Sequence, residues 1–229
     1  MIDAIIQVRE ITLLSIVIRI MVSVLLGGII GAERGMKNRP AGMRTYMLVS
    51  LGSCVVMLTN QYIFQAFKTG DPTRMAAQVV SGIGFLGAGT IIVTGRNQIK
   101  GLTTAAGLWA TASVGLAIGI GLYEVAALSG ILVFLILTIL HKFDDYMRKT
   151  SNIVELYVEM RAGIPLGDFL RAVRANELSA TNLQLQDHHA ASDEFTSFVV
   201  SLKGQRHARH DDILRIVQQI DHVTYVEEL

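Results

Sequence analysis

The region from Arg74 to Tyr123 contains two long apolar stretches joined by a short polar loop. No charged residue occurs between Met75 and Val93, or between Gly101 and Tyr123. Uncharged apolar runs of about 18 or more residues are long enough to cross a bilayer as helices. Because backbone groups in lipid must be bonded within the same element, the two stretches are predicted to form a transmembrane helical hairpin.

Both stretches are unusually rich in glycine, which in lipid lets helices approach each other closely. We therefore predict a helix-packing role for the glycines of this hairpin and of the first apolar run: Gly27, Gly31, Gly82, Gly84, Gly87, Gly89, Gly115 and Gly119. The segment Gly82–Gly87 also matches GxGxxG. A dinucleotide site would need a preceding strand and an acidic residue about 20 positions later, so helix packing is the preferred interpretation.

The composition extends the membrane prediction to the first two thirds of the chain. Hydrophobic residues make up 51% of the 229 residues, charged residues only 17%, and the mean hydropathy is +0.46. This composition is typical of an integral membrane protein. We predict a transmembrane domain over residues 1–148 with spans at about 11–32, 43–64, 75–94, 101–121 and 125–141.

Charge is distributed unevenly between the two parts of the chain. Residues 1–150 carry 13 Lys and Arg against 7 Asp and Glu, whereas residues 151–229 carry 7 against 12. The basic loops follow the first, third and fifth spans. The positive-inside rule therefore predicts an outside N-terminus and a cytoplasmic C-terminal domain. The acidic tail argues against nucleic acid as a partner.

Residues 149–229 have the pattern of a small α+β domain. Val154, Leu156, Val158 and Met160 alternate with polar residues as in a half-buried strand. The predicted order βαββαβ is that of the ferredoxin-like arrangement. The predicted fold is therefore an α-helical membrane protein with about five transmembrane helices and a cytoplasmic ferredoxin-like domain.

Three ordered segments resemble the MgtC/SapB family of bacterial inner-membrane proteins. They are GAERGMKNRPAGMRTYMLVSLGS, RMAAQVVSGIGFLGAGTII and GLTTAAGLWATASVGLAIGIGLY. The resemblance implies a five-span, non-enzymatic protein with an ACT-like tail, associated with adaptation to low magnesium, acid stress and virulence. Some members are proposed to restrain the F-type ATP synthase, and the historical name implies magnesium transport.

Several polar residues in or near the spans are candidate site residues. Arg19, inside the first span, either snorkels to the outer interface or serves a polar cavity. Glu33, Arg34, Arg44 and Thr45 are predicted to form an ion-pair cluster or partner surface, although basic loop residues also serve as membrane anchors.

The glycine-rich hairpin carries a second group of candidates. Arg74 and Gln78, at i and i+4, share a helix face and either line a polar cavity or anchor the helix. Thr103 and Thr104 either line that cavity or bond across helices. Trp109 is predicted to pack among small residues rather than to anchor at the interface.

No enzyme chemistry is recognisable in the sequence. There is no Ser/His/Asp set, Walker loop or HExxH motif, and we expect neither a cofactor nor a metal. Six residues of the tail could be considered as metal ligands, but zinc needs about four convergent ligands, so they are interpreted as solvated turn residues: His188, His189, His207, His210, Asp211 and Asp212. Cys54, the only cysteine, is predicted to be a buried apolar residue.

The sequence favours a regulatory protein embedded in the lipid bilayer that acts on another membrane protein. The predicted contact surface is the glycine-rich hairpin, and the tail is predicted to bias it by binding a ligand or by forming a homodimer. A transporter or channel for a cation or small solute is the alternative, and a purely structural scaffold is a third. Magnesium needs oxygen ligands, usually carboxylates, and the spans offer only Glu33 and Glu124 at their ends.

Overall fold

The computed structural model describes residues 10–68, 71, 73–94, 98–140, 143, 147, 151–186, 195–204 and 210–229. The contacts divide the chain into two compact units, Met1–His141 and Lys142–Leu229. The regular structure of the described part of the first unit is helical apart from one short hairpin, and that of the second is α+β. Each unit contains its own buried apolar clusters.

The described part of the first unit contains five helices. They are α1 (Leu13–Met36), α2 (Met43–Phe67), α3 (Arg74–Thr90), α4 (Leu102–Ile120) and α5 (Tyr123–Leu135), which continues as a π-helical segment over Ile136–Leu140. Four of these helices, all except α3, are long and apolar enough to cross a membrane. A capping box formed by Thr12 and Ser15 fixes the start of α1.

The third predicted span is too long at its C-terminal end. Helix α3 ends at Thr90, and residues 92–93 form a short strand, β1, that pairs antiparallel with β2 (Ile99–Lys100). The prediction of helix over 75–94 is wrong there because the β-branched residues that follow Thr90 favour an extended backbone. With 17 residues, α3 rises only about 25 Å, less than the roughly 30 Å hydrocarbon core.

Gly101 allows α4 to begin directly against the end of α3. Its φ is +101°, and a Cβ at this position would collide with the Thr90 carbonyl group. Only glycine adopts this backbone conformation without strain in so close an approach. The β1–β2 hairpin is therefore held tightly between the two helices.

Four of the predicted packing glycines bring α1, α2 and α4 into backbone contact: Gly27, Gly31, Gly115 and Gly119. A Cβ on Gly27 would lie 2.7 Å from the carbonyl oxygen of Tyr46. A Cβ on Gly119 would lie 2.6 Å from the carbonyl oxygen of Cys54. Because real Cβ atoms do not approach so closely, only glycine permits this helix spacing.

The glycines of α3 behave differently. An added Cβ would meet no atom within 4 Å at Gly82, Gly84 or Gly89, and at Gly87 it would make ordinary contact with Ala105 at 3.4 Å. The predicted packing role of the first three is therefore wrong for contacts within the described chain. The physical reason is that α3 touches its neighbours along one narrow stripe.

The described part of the second unit has the predicted order βαββαβ. Its elements are β3 (Ile153–Arg161), α6 (Leu166–Ala175), β4 (Ser179–Gln186), β5 (Phe195–Lys203), α7 (His210–Gln218) and β6 (Val223–Glu228). The strands form one sheet in the order β4-β5-β3-β6, and all neighbours are antiparallel. Leu156 and Val158 on β3 pack with Phe169 of α6 and Ile213 of α7 in a single core.

Candidate functional site

Arg19 lies at the end of the bundle where α1 begins and α4 turns into α5. Its side chain is fully buried. Nη1 donates to Gln61 Oε1 on α2 at 2.7 Å and to the Gly119 carbonyl oxygen on α4 at 2.7 Å, while Nε donates to Tyr123 Oη at 3.3 Å. One guanidinium therefore links α1, α2 and the α4–α5 turn.

The burial of Arg19 contradicts one of the two interpretations of this residue. A snorkelling arginine keeps its head group in contact with water or lipid head groups, whereas Arg19 directs its donors into the protein. Arg19 therefore links helices instead of snorkelling, and its role in a polar cavity stays a prediction. Sequence reasoning missed Gln61 and Tyr123 as its partners, and the signal available was a glutamine inside an otherwise apolar helix.

A second polar cluster lies at the opposite end of the bundle, where α1 ends and α2 and α4 begin. Glu33 and Arg34 are buried, and Arg34 Nη2 donates to Thr104 Oγ1 at 3.1 Å. Lys37 Nζ lies 2.5 Å from Glu33 Oε1. Tyr46, which sequence reasoning missed, is fully buried in the same region.

Two of the residues predicted to join this second cluster do not do so. Arg44 is exposed and Thr45 is only half-buried, and no hydrogen bond or ion pair among the described residues joins either one to Glu33 or Arg34. Successive residues of a helix are about 100° apart, so Arg44 points roughly opposite to Tyr46, which occupies the inner face. The predicted four-residue cluster is therefore wrong in these two members.

Arg74 and Gln78 share one face of α3, and both are exposed. Together with Val56, Met75 and Val79 they line an open cavity of about 450 Å³ between α2 and α3. Just before α3, Asp71 accepts hydrogen bonds from the side chain and backbone of Thr73. These bonds hold the pKa of Asp71 below its ordinary value.

The residues at the start of α4 do not reach that cavity. Thr103 is exposed. Thr104 accepts a hydrogen bond from Arg34 of α1, near the end of α3 that lies opposite to the cavity. Trp109 is 51% exposed, so the prediction that it packs inside the bundle is wrong. Gly107 and Leu108 already occupy the inward face of α4, which leaves position 109 directed outward as expected of an interfacial anchor.

The described residues contain no group of three or more His, Cys, Asp or Glu side chains that could hold a metal ion. His188, His189 and His207 lie outside the described residues. His210 contacts the Ser151 carbonyl oxygen and the Glu228 carboxylate. Cys54 is a buried free thiol.

Spanning helices with buried polar clusters at both ends, followed by an α+β unit, define a multi-pass membrane protein. The chain belongs to the MgtC family, whose sequence model matches residues 20–146. The resemblance predicted from the sequence is thereby confirmed.

Three relatives illustrate the extent of the similarity. "Putative magnesium transporter YhiD" of Escherichia coli strain K12 is 32% identical over 209 residues, covering 88% of this chain and 93% of its own. Protein SapB of Bacillus subtilis strain 168 is 28% identical over 224 residues, covering 93% and 94%. Protein MgtC of Brucella abortus strain 2308 is 48% identical over 111 residues, covering 48% and 44%. No solved structure matches the chain.

Proposed function

We propose that this protein is a non-enzymatic regulator in the bacterial inner membrane that acts by contacting another membrane protein. The observation that carries the proposal is the exposed, uncharged face of α3. After Arg74 the helix has no charged residue, and Ile83 and Gly87 are its only buried positions. A helix with so little contact inside its own chain presents a large surface to a partner.

The composition of this face suits another helix better than lipid. Phe85 is 83% exposed, and the glycines around it have open space on their outer side. Gln78 and Ser81 are also exposed, and lipid chains offer them no hydrogen-bond partner. Small residues that permit close approach and polar residues that bond across helices are the features of helix–helix interfaces in membranes.

We also propose that α3 crosses the bilayer, which gives five crossings. The helix supplies about 25 Å. The extended residues 91–93 add about 10 Å at roughly 3.3 Å each, so the total exceeds the roughly 30 Å hydrocarbon core. Hairpin bonds such as that from Thr94 N to the Gln98 carbonyl oxygen, at 2.9 Å, satisfy part of the extended backbone. By the positive-inside rule the N-terminus then lies outside and the tail in the cytoplasm.

We propose that the tail is an ACT-like sensor that biases the membrane part. Its strand order β4-β5-β3-β6 and its two helices agree with a ferredoxin-like arrangement. The ligand is a small molecule, or the tail pairs with the tail of a second copy. Because residues 151–229 are acidic and nucleic acid is negatively charged, we do not propose nucleic acid as a ligand of the tail.

Family membership supports a link to magnesium. The Escherichia coli relative carries magnesium in its name, and the family resemblance implies adaptation to low magnesium or acid stress. We propose that the regulated partner is an ion transporter or the F-type ATP synthase.

Transport of a cation is the second candidate function, favoured by the name of that relative and by the buried charges of Arg19, Glu33 and Arg34. Two observations weigh against it. The glycine contacts close the space between α1, α2 and α4. Glu33 is the only buried carboxylate among the described residues of the helical unit, whereas magnesium sites usually use one or two carboxylates.

Two matched substitutions test the regulatory proposal in a deletion strain grown at low magnesium. Gly82→Leu changes the outward face of α3, and Gly52→Leu makes the same change at an exposed glycine of α2. Neither added side chain meets a neighbour at its Cβ, so both variants should fold and accumulate in the membrane. We expect the Gly82→Leu variant to lose complementation and the Gly52→Leu variant to retain it.

Reconstitution in liposomes separates the two candidate functions. Magnesium flux carried by the purified protein, and abolished by Glu33→Ala or Arg74→Ala, would reject the regulatory proposal in favour of transport. Absence of flux from a protein that still complements the deletion strain is the expected result.

A further inference from the structure

Four buried polar atoms on α1 and α2 have no partner in good hydrogen-bond geometry among the described residues. They are Glu33 Oε2, Arg34 Nε, Tyr46 Oη and Ser50 Oγ. The exposed fractions of these four residues are 8%, 3%, 0% and 0%, respectively. Glu33, Arg34 and Tyr46 lie where α1 ends and α2 and α4 begin, in the second of the two polar clusters described above, and Ser50 lies one turn further along α2, against Gly27 and Gly115.

The groups at the edge of this cluster are already engaged. Arg34 Nη2 donates to Thr104 Oγ1 at 3.1 Å, and Lys37 Nζ lies 2.5 Å from Glu33 Oε1. The Arg34 side chain faces the Tyr46 hydroxyl directly and the Glu33 charge also acts on it, so these three groups share one environment. The Lys37 side chain is 31% exposed and marks the place where the cluster reaches the surface of the unit.

Unpaired polar atoms in such number point to a bound ligand. A buried donor or acceptor without a partner carries the full cost of its lost hydration. Native proteins leave few such groups, and ordered water or another ligand commonly fills the remaining bonds.

The mixture of donors and acceptors identifies the chemical class of that ligand. The Glu33 carboxylate only accepts hydrogen bonds, the Arg34 Nε only donates, and the hydroxyls of Tyr46 and Ser50 do both. A metal cation would satisfy Glu33 and leave Arg34 Nε unpaired, while an oxyanion would do the reverse. A ligand that both donates and accepts is required, and water is the smallest one. We propose that this cluster is a hydration site in which bound water satisfies Glu33, Arg34 and Tyr46 and extends along α2 to Ser50.

The hydration site ends at Ser50. A Cβ on Gly27 would lie 3.0 Å from the Ser50 Cβ, and Gly115 packs directly on the Ser50 carbonyl group. These contacts leave no room for water to continue between α1, α2 and α4 towards Arg19. The site therefore opens to one side only, at Lys37.

Thermal unfolding of the 229-residue chain in detergent tests the proposal by whether Tm falls or rises when a hydroxyl is removed. Tyr46→Phe and Ser50→Ala each remove one hydroxyl with little change of shape. If water bridges these hydroxyls, each substitution should lower Tm by about 2–6 °C, because hydrogen bonds are lost. An unchanged or higher Tm for both would overturn the proposal, because removing an unpaired hydroxyl relieves a cost.

Ser53→Ala is the matched control on the same helix. Ser53 is buried like Ser50, but its Oγ already donates to the Val49 carbonyl oxygen at 2.8 Å. The change in Tm of Ser53→Ala measures what the loss of a hydrogen-bonded serine hydroxyl costs. We expect Ser50→Ala to lower Tm by at least as much.

A structure at a resolution that shows ordered water provides the second measurement, independent of the stability of the variants. Density for water between the Glu33 carboxylate, Arg34 Nε and Tyr46 Oη is the expected result. Direct contacts among these groups with no density between them, or density for an ion, would overturn the proposal.

Discussion

Arg19 places a positive charge inside the helical bundle, and its three described hydrogen bonds reach two other helices and the α4–α5 turn. We expect Arg19→Met to lower the free energy of unfolding by about 2–5 kcal/mol, since Gln61 and the Gly119 carbonyl group then lose a buried donor. Reversible unfolding in detergent measures this. Arg44→Met, the same change at an exposed arginine, should stay within about 0.5 kcal/mol. Equal effects of the two substitutions would mean that Arg19 makes no buried contacts.

The sequence shows that Arg19 is unusual, because a charge in an apolar run is costly and needs a physical explanation. Its partners lie 42 and 104 positions away, and which helix faces meet is decided by packing that no local pattern records. Tyr46 was missed for a related reason. A tyrosine in an apolar helix looks like a packing residue until its hydroxyl is found against Gly107, where a Cβ would lie only 2.5 Å away.

At the scale of helices, glycine has two different uses in this protein. Gly115→Ala places a Cβ against the Ser50 carbonyl group, and we expect a loss of about 1–3 kcal/mol from overpacking. Gly82→Ala adds a Cβ in open space, so the gain in helix propensity should leave stability unchanged or raise it by up to about 1 kcal/mol. Unfolding in detergent compares the two, and a loss at Gly82 as large as that at Gly115 would show that α3 is packed on both sides.

Small-residue spacing predicted the close contacts at Gly27, Gly31, Gly115 and Gly119, because such spacing places glycines on one helix face. It did not distinguish the face of α3 that meets a neighbour from the face that does not. Periodicity shows which residues share a side, but the arrangement of the other helices decides which side is covered. The end of α3 was also missed, since a run of Ile and Val is apolar both in a helix and in a strand.

At the scale of the whole molecule, composition and alternation were sufficient to predict a helical membrane part and an α+β tail with the order βαββαβ. Hydropathy is averaged over long segments, so the prediction of a membrane helix does not depend on the exact position of its ends. The number of crossings is harder to predict, because it depends on α3. With 17 residues, α3 is shorter than each of the other described helices of the membrane part when α5 is counted together with its π-helical continuation. With four crossings, the β1–β2 hairpin and the preceding α2–α3 connection would lie on the same side of the membrane.

Labelling of single cysteines with a membrane-impermeant maleimide tests the five crossings most directly. Lys68→Cys, Lys100→Cys and Lys203→Cys place exposed thiols before α3, after α3 and in the tail, and Cys54→Ala removes the buried native thiol. In inside-out vesicles we expect Lys100→Cys and Lys203→Cys to react, and in right-side-out vesicles only Lys68→Cys. Reaction of Lys68→Cys and Lys100→Cys from the same side would contradict five crossings, because α3 would then not span the bilayer.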